Sequence, residues 1–223
     1  WLMFQNNLLM GAASISAAGG YTVDYSCRFN GASKAYLLFT PTTSSAAQKT
    51  YTLSAWVKRG HLDLRQVVIG CANASASYFS YALMAPNVAA DNSIGSYNYP
   101  IACSIYNANM ALRDPSAWFH IMLVIDTTES VDTDRANIYY NGVKVTGYTT
   151  TAYPALNALM SMNNASYDIG VGTLGAWYAS ETAFDGYLAQ VAQVSELALA
   201  PTDFGEFDDN GVWRPIDITE LDY

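Results

Sequence analysis

Tyr78, Tyr81, Tyr97, Tyr99 and Tyr106 fall in one irregular stretch of the chain together with Asn92, Asn98, Asn107 and Asn109. Apolar sugar faces stack on tyrosine rings while amide groups bond sugar hydroxyls, so this composition can form a carbohydrate-binding platform. Loops are where such a platform would be carried. The same tyrosines can instead alternate in and out of weak strands and serve packing or subunit contacts, and residue types alone leave both readings open. Tyr78, Tyr81, Tyr97, Tyr99 and Tyr106 with Asn98 and Asn107 are the candidate contact residues.

Acid–base and nucleophilic chemistry has less to work with. His120 follows Trp118-Phe119 inside an apolar run, where core hydrogen bonding is the expected role, and His61 follows the Arg59-Gly60 turn. Neither stands beside a Ser or Cys nucleophile pattern, and no G-x-S-x-G is present. Cys27, Cys71 and Cys103 are an odd count without a CxxC pair, so neither a disulfide framework nor a zinc site is written here. Reduced, partly buried thiols and folding in a reducing cytosol are expected, with a single cysteine pair left open.

Ten Lys+Arg against 19 Asp+Glu give a net charge of −9, which opposes binding to nucleic acid or to an anionic membrane surface. Seven of the acids, from Asp203 to Asp222, crowd the last 21 residues beside one base, Arg214. Charged residues are only 13% of the chain and hydrophobic ones 51%, a composition that folds and that resembles an interface more than a free monomer's surface. No run of 18 apolar residues is present, so no transmembrane helix is expected.

Residues 1–20, WLMFQNNLLMGAASISAAGG, lack the basic start of a signal peptide, since the first cation is Arg28. They read as an apolar N-terminal arm whose Trp1, Leu2, Met3, Phe4, Leu8, Leu9 and Met10 would be costly to leave in water. From Tyr21 the texture is one of short strands cut by polar turns. Tyr51–Gly60 alternates Leu53, Ala55 and Val57 against Thr52, Ser54, Trp56 and Lys58, predicting a strand with two different faces. Trp118–Asp126 is apolar on both faces and predicts a central strand. Asn141-Gly142 between β-rich runs predicts a two-residue type I′ hairpin over Ile138–Val145. Tyr167–Val171 and Tyr187–Val194 predict two more strands, while 73–109 and 149–164 hold weak strands and long loops. A helical turn is expected at Pro201–Phe207, capped by Thr202 and with Glu206 facing its positive end. Roughly a dozen short strands at this spacing specify a two-sheet sandwich of one domain.

The run YTLSAWVKRG at 51–60, Trp118-Phe119-His120 opening a core strand that closes at Asp126, the hairpin IYYNGV at 138–143, and Phe184-Asp185-Gly186-Tyr187-Leu188 together resemble the concanavalin A-like lectin/glucanase sandwiches of the laminin-G-like, pentraxin-like kind. This resemblance covers about 45–200 and implies an all-β concanavalin A-like jelly-roll: a β-sandwich of two antiparallel sheets with the N-terminal arm attached. Its parts would be the arm at 1–20, the jelly-roll at 21–200, and an acidic C-terminal segment at 201–223 packed on the sandwich. YTVDYSCRFNGASKAYL at 21–37 and FDGYLAQVAQVSELALAPTDFGEFDDNGVWRP at 184–215 are similar to virion structural proteins of tailed bacteriophages. That similarity implies a non-catalytic virion surface protein, a tail fibre or a capsid decoration, made in the host cytoplasm. Its partners would be other virion proteins and copies of itself as a homotrimer or larger, with a host-surface glycan as a further partner and no nucleic acid or membrane insertion.

The lectin/glucanase resemblance raises two more chemistries. Its hydrolases present carboxylates as E-x-D-x-x-E on one strand face; Glu206-Phe207-Asp208-Asp209-Asn210-Gly211 lacks the final acid, so glycoside hydrolysis is the lesser alternative to a lectin module. Its laminin-G-like and pentraxin-like members often bind calcium through loop oxygens. Glu129, Asp132, Asp134 and Asn137 are the first candidate ligands here, and Asp208-Asp209-Asn210 a second cluster. Ala189-Gln190 stands where those relatives commonly carry an acidic pair, and Asp-rich turns are usually just solvated. Asn73-Ala74-Ser75 and Asn164-Ala165-Ser166 match the glycosylation sequon, which a phage protein would not use.

Overall fold

Period-2 segments pair into two antiparallel sheets that face each other across a continuous apolar layer. The computed structural model describes residues 21–41, 45–62, 66–73, 79–82, 94–99, 101, 103–107, 110, 112–173, 183–219 and 221. The chain forms β1 (Cys27–Phe29), β2 (Leu37–Phe39), a one-turn helix α1 (Ser45–Lys49), β3 (Thr50–Arg59), β4 (Ile69–Ala72), β5 (Phe79–Ala82), β6 (Ile94–Tyr99) and β7 (Cys103–Asn107). It continues through β8 (Phe119–Asp126), β9 (Ala136–Tyr140), β10 (Val143–Lys144), β11 (Thr150–Ala152), β12 (Asp168–Val171) and β13 (Gly186–Ser195) to a small hairpin of β14 (Gly205–Phe207) and β15 (Trp213–Pro215). One sheet has six strands in the order β1-β13-β3-β8-β9-β10, the other seven in the order β11-β7-β6-β5-β4-β12-β2. This is the two-sheet sandwich expected from the strand pattern and the jelly-roll that the resemblance implies.

Alternation sends one side of each strand into the shared core. Leu53, Ala55 and Val57 of β3 and Ile121, Leu123 and Ile125 of β8 meet Ile69, Cys71, Ile94, Ile105 and Ile169 of the facing sheet. Tyr51 is also buried there and shares a side-chain hydrogen bond with Ser80 of β5, joining the two sheets; burial holds its hydroxyl well above the usual tyrosine range. Cys71 and Cys103 lie in the same layer as free thiols, pushed up to about 12 by desolvation. They sit on β4 and β7, three strand spacings or roughly 14 Å apart, too far for a disulfide. Cys27 is free and exposed on β1.

The central strand and the hairpin appear where the sequence places them. β8 pairs with β3 on one side and β9 on the other. Asn141 and Gly142 take φ values of 46° and 78°, the left-handed pair that a type I′ turn needs. β3 departs from a half-solvated strand, because Thr52, Ser54 and Trp56 on its second face are buried as well. The cover is the C-terminal segment: Phe204, Leu199, Ile218 and Leu221 pack on Met122, Val124 and Val194, and Trp213 packs on Trp56 and Ala189. The helical turn expected over Pro201–Phe207 is a 3-10 turn of Pro201–Asp203 only. Its cap is the Asp203 carboxylate, which accepts the Ala200 N–H at 2.8 Å, and Thr202 lies inside the turn. Glu206 belongs instead to β14, whose pairing with β15 takes Gly205 through Phe207 out of the helical path.

Candidate functional site

The outer face of the seven-stranded sheet, turned away from the core, is built by cross-strand register. Tyr97 on β6 pairs with Ser104 of β7 on one side and Tyr81 of β5 on the other. Tyr81 pairs with Gly70 of β4, Gly70 with Gly170 of β12, and Gly170 with Leu38 of β2. Directly paired residues share a face, so this row of positions crosses the sheet with tyrosines at its centre and small residues beside them. A second row holds Tyr99, Phe79, Ala72 and Asp168. In a third, Tyr106 of β7 pairs with Gly95 of β6, and the tyrosine ring crosses the glycine so closely that a Cβ there would stand 2.0 Å from its Cδ1. Tyr99 is 47% exposed, whereas Tyr97 and Tyr106 are half-buried against Val67 and Ala72.

The sequence-nominated contact residues therefore divide. Tyr97, Tyr99 and Tyr106 share the outer face, and the Tyr81 position lies in the row of Tyr97. Asn98 points the other way: it is buried, and its Oδ1 accepts the Ser161 hydroxyl at 3.1 Å. Asn107 is on that inner side too, donating from Nδ2 to the Thr146 carbonyl at 2.9 Å. With Tyr140, Lys144 and Val145 it lines a shallow cleft of about 360 Å³ at the end of the sandwich. Alternation separates the amides from the rings, because Asn98 is the middle residue of Tyr97-Asn98-Tyr99 and Asn107 follows Tyr106. Tyr78, Asn92 and Asn109 lie outside the described residues, as do Trp1, Leu2, Met3, Phe4, Leu8, Leu9 and Met10 of the arm. The flanking Gly70, Gly95 and Gly170 are residues the sequence reading misses; the one signal is for Gly95, in the Gly-x-Tyr-x-Tyr alternation of 95–99.

Glu129, Asp132 and Asp134 lie in the loop between β8 and β9 and Asn137 is the second residue of β9, but their side chains do not converge. Asp132 accepts the Thr133 N–H, Asp134 lies 3.7 Å from the Lys144 ammonium, and Asn137 donates to the Asp134 carbonyl. Among the described residues no three His, Cys, Asp or Glu side chains gather where they could hold a metal ion. The cation at the centre of this loop is Arg135. Its guanidinium donates to the carbonyls of Glu129, Ser130 and Pro154 at 2.7, 2.9 and 3.1 Å. Asp208, in the second acidic cluster, accepts the N–H groups of Asn210 and Val212 and pairs with Arg214 at 2.9 Å. Those hydrogen bonds, led by the one from Val212, hold its carboxyl below the usual range, the reverse of what a general acid requires.

One Ser–His pair does form. Ser54 Oγ and His120 Nε2 are 2.8 Å apart on the outer side of the six-stranded sheet, yet both residues are sealed from solvent. Trp56 and Trp213 lie against the imidazole with ring centroids at 5.3 and 6.0 Å, and Phe204 at 6.3 Å. Desolvation lowers the His120 pKa to about 4, and its Nδ1 has no hydrogen-bond partner among the described residues. A nucleophile with no route for substrate is a packing element.

The sequence profile of the concanavalin A-like lectin/glucanases superfamily matches residues 30–203, from just after β1 to the 3-10 turn. The chain belongs to that superfamily. Domains LG4-5 of the mouse laminin alpha1 chain superpose with a TM-score of 0.52 at 12% identity, covering 84% of this chain and 47% of that one. Domain 4 of an extracellular GH43 arabinanase from Geobacillus stearothermophilus, solved in complex with arabinotriose, superposes at 0.46 with 17% identity, covering 69% and 64%. The sialidase module CBM40 of Ruminococcus gnavus, bound to alpha2,3 sialyllactose, does so at 0.44 with 12% identity, covering 82% and 97%. The chain thus spans less than two thirds of the arabinanase and laminin chains it resembles. No curated protein sequence matches it. Within this superfamily sandwich, Phe184-Asp185-Gly186 has a structural role. Phe184 fills the core, Asp185 pairs with Arg28 at 2.6 Å and accepts the Gly60 N–H on its carbonyl, and Gly186, at φ 150°, lies so close to the Lys58 carbonyl that a side chain is excluded.

Proposed function

We propose that this chain is a non-catalytic carbohydrate-binding sandwich whose contact surface is the outer face of the seven-stranded sheet. The observation that carries the reading is the gathering of Tyr97, Tyr99 and Tyr106 on that face beside small residues. Tyrosine rings arrayed on a sheet face are what a sugar chain stacks on. Membership of a lectin/glucanase superfamily supports it, although a fold alone never fixes function. The tied carboxylate of Asp208 and the sealed Ser54–His120 pair support the absence of turnover. The test is retention of the purified chain on immobilised polysaccharides. Tyr97→Ala and Tyr99→Ala should lose retention with the far-UV spectrum unchanged; unchanged retention overturns the assignment, and release of reducing ends, lost on changing Glu206 or Asp208, would restore hydrolysis.

The setting we propose is the surface of a tailed-phage virion, on a tail fibre or as a capsid decoration. It is supported by the likeness of residues 21–37 and 184–215 to virion structural proteins and by the low charged content of the chain. A native mass of a trimer or larger by light scattering, reduced to monomer on deleting residues 1–20, is the expected result. A full-length monomer would count against it.

A further inference from the structure

We propose that the tyrosine face selects uncharged polysaccharide chains and discriminates against acidic ones such as polyuronates or polysialic acid. The proposal rests on that face being the glycan site. Across all seven strands of the sheet, β2, β4, β5, β6, β7, β11 and β12, the only Asp, Glu, Lys or Arg is Asp168. None of the chain's ten Lys and Arg residues lies in these strands. Arg28, Arg135, Lys144 and Arg214 are instead committed to Asp185, to loop carbonyls, to Asp134 and to Asp208, and Lys58 lies on β3 of the other sheet.

A carboxylated sugar that docks on this sheet gives up its hydration and meets no strand cation in return. Desolvating an unpaired carboxylate is costly, and the net charge of −9 adds long-range repulsion to the local charge of Asp168. A neutral sugar loses only hydroxyl hydration, which phenol hydroxyls and Ser104 can replace, while its apolar face gains ring contact. Tyr97 and Tyr99 lie two residues apart on β6, roughly 7 Å along the strand, and Tyr106 belongs to the adjacent strand β7. That spread exceeds one sugar ring, so the ligand is a chain and not a monosaccharide.

Affinity electrophoresis of the full chain tests this in gels that contain dextran, mannan, galactan or arabinan as neutral polymers and polygalacturonate, alginate or colominic acid as acidic ones. Retardation by at least one neutral polymer is expected, unchanged by added salt and lost in Tyr97→Ala, with acidic polymers bound about tenfold more weakly or worse. Asp168→Asn should narrow the difference between neutral and acidic polymers. Preference for an acidic polymer that collapses in salt overturns the selectivity and leaves the glycan reading standing. Retardation that survives in Tyr97→Ala overturns the site, and retardation by no polymer overturns both readings.

Discussion

The ring of Tyr106 lies across the backbone of Gly95 on the neighbouring strand, filling the space a side chain would take. Gly95 gives up strand propensity at that position, and the aromatic neighbour covers the exposed backbone. The pair fixes where one of the outer-face rings sits.

Gly95→Ala should therefore act through Tyr106. Its Cβ would meet Cδ1 at 2.0 Å and Cε1 at 2.6 Å, so the ring must swing away. Overpacking of this kind costs about 1–3 kcal/mol. We expect a lower melting temperature together with weaker polysaccharide retention. A variant that loses stability and keeps full retention would separate Tyr106 from the binding face.

Asn98 provides the opposite dissociation. Removing its side chain leaves the buried Ser161 hydroxyl without its acceptor, at a cost of about 1–3 kcal/mol. Asn98→Ala should lower the urea midpoint while glycan affinity at saturating fold is unchanged. Tyr99→Ala, at an exposed position, should do the reverse. Equal effects on both readouts for the two variants would contradict the face assignment.

Arg135 ties the acidic loop to the Pro154 segment. Three carbonyls converge on one guanidinium, whose charge makes each hydrogen bond stronger than a neutral one. Arg135→Ala should loosen the Glu129–Asp134 turn and lower the melting temperature. EDTA should leave the melting temperature of the unmodified chain in place. A fall on chelation, reversed by calcium, would bring Glu129, Asp132, Asp134 and Asn137 back as ligands.

What the sequence made legible follows from how local each signal is. Asn141-Gly142 can be read alone because the turn's φ values depend on two adjacent residues, β3 because its inward Leu53, Ala55 and Val57 alternate at period 2, and β8 because an eight-residue, mostly apolar run suits a strand buried on both faces. β5, β6 and β7 were indistinct because their outward positions are Tyr, Ser and Gly, so the alternation never contrasts apolar with charged. Partner-dependent features were not legible at all. Thr52, Ser54 and Trp56 look solvent-facing until the segment ending in β15 covers them, and nothing in the acidic loop's sequence announces that Arg135 bonds the carbonyls of Glu129, Ser130 and Pro154.

His120 makes that cover pH-sensitive. Its folded-state pKa is lowered by burial to about 4 from an unfolded value of 6.5. Between these values the unfolded chain takes up a proton that the folded chain refuses, so stability is fully present above pH 6.5 and declines as the pH falls toward 4. The slope approaches 1.4 kcal/mol per pH unit and the whole window is worth about 3 kcal/mol. Asp114, Asp208 and Asp217, whose carboxyls are held below the usual range, contribute in a lower window, lost as the pH falls beneath about 3.8. Urea midpoints at pH 7.5, 6.0 and 5.0 therefore isolate the histidine. They should fall across this series in the unmodified chain and stay nearly level in His120→Gln, whose amide can still bond the Ser54 hydroxyl. Because the imidazole packs against Trp213, its protonation also strains the β14–β15 cover, and tryptophan fluorescence should shift red before the far-UV signal is lost. An identical fall in His120→Gln would assign the acid sensitivity to some other group and leave the Trp56–His120–Trp213 cluster as inert packing.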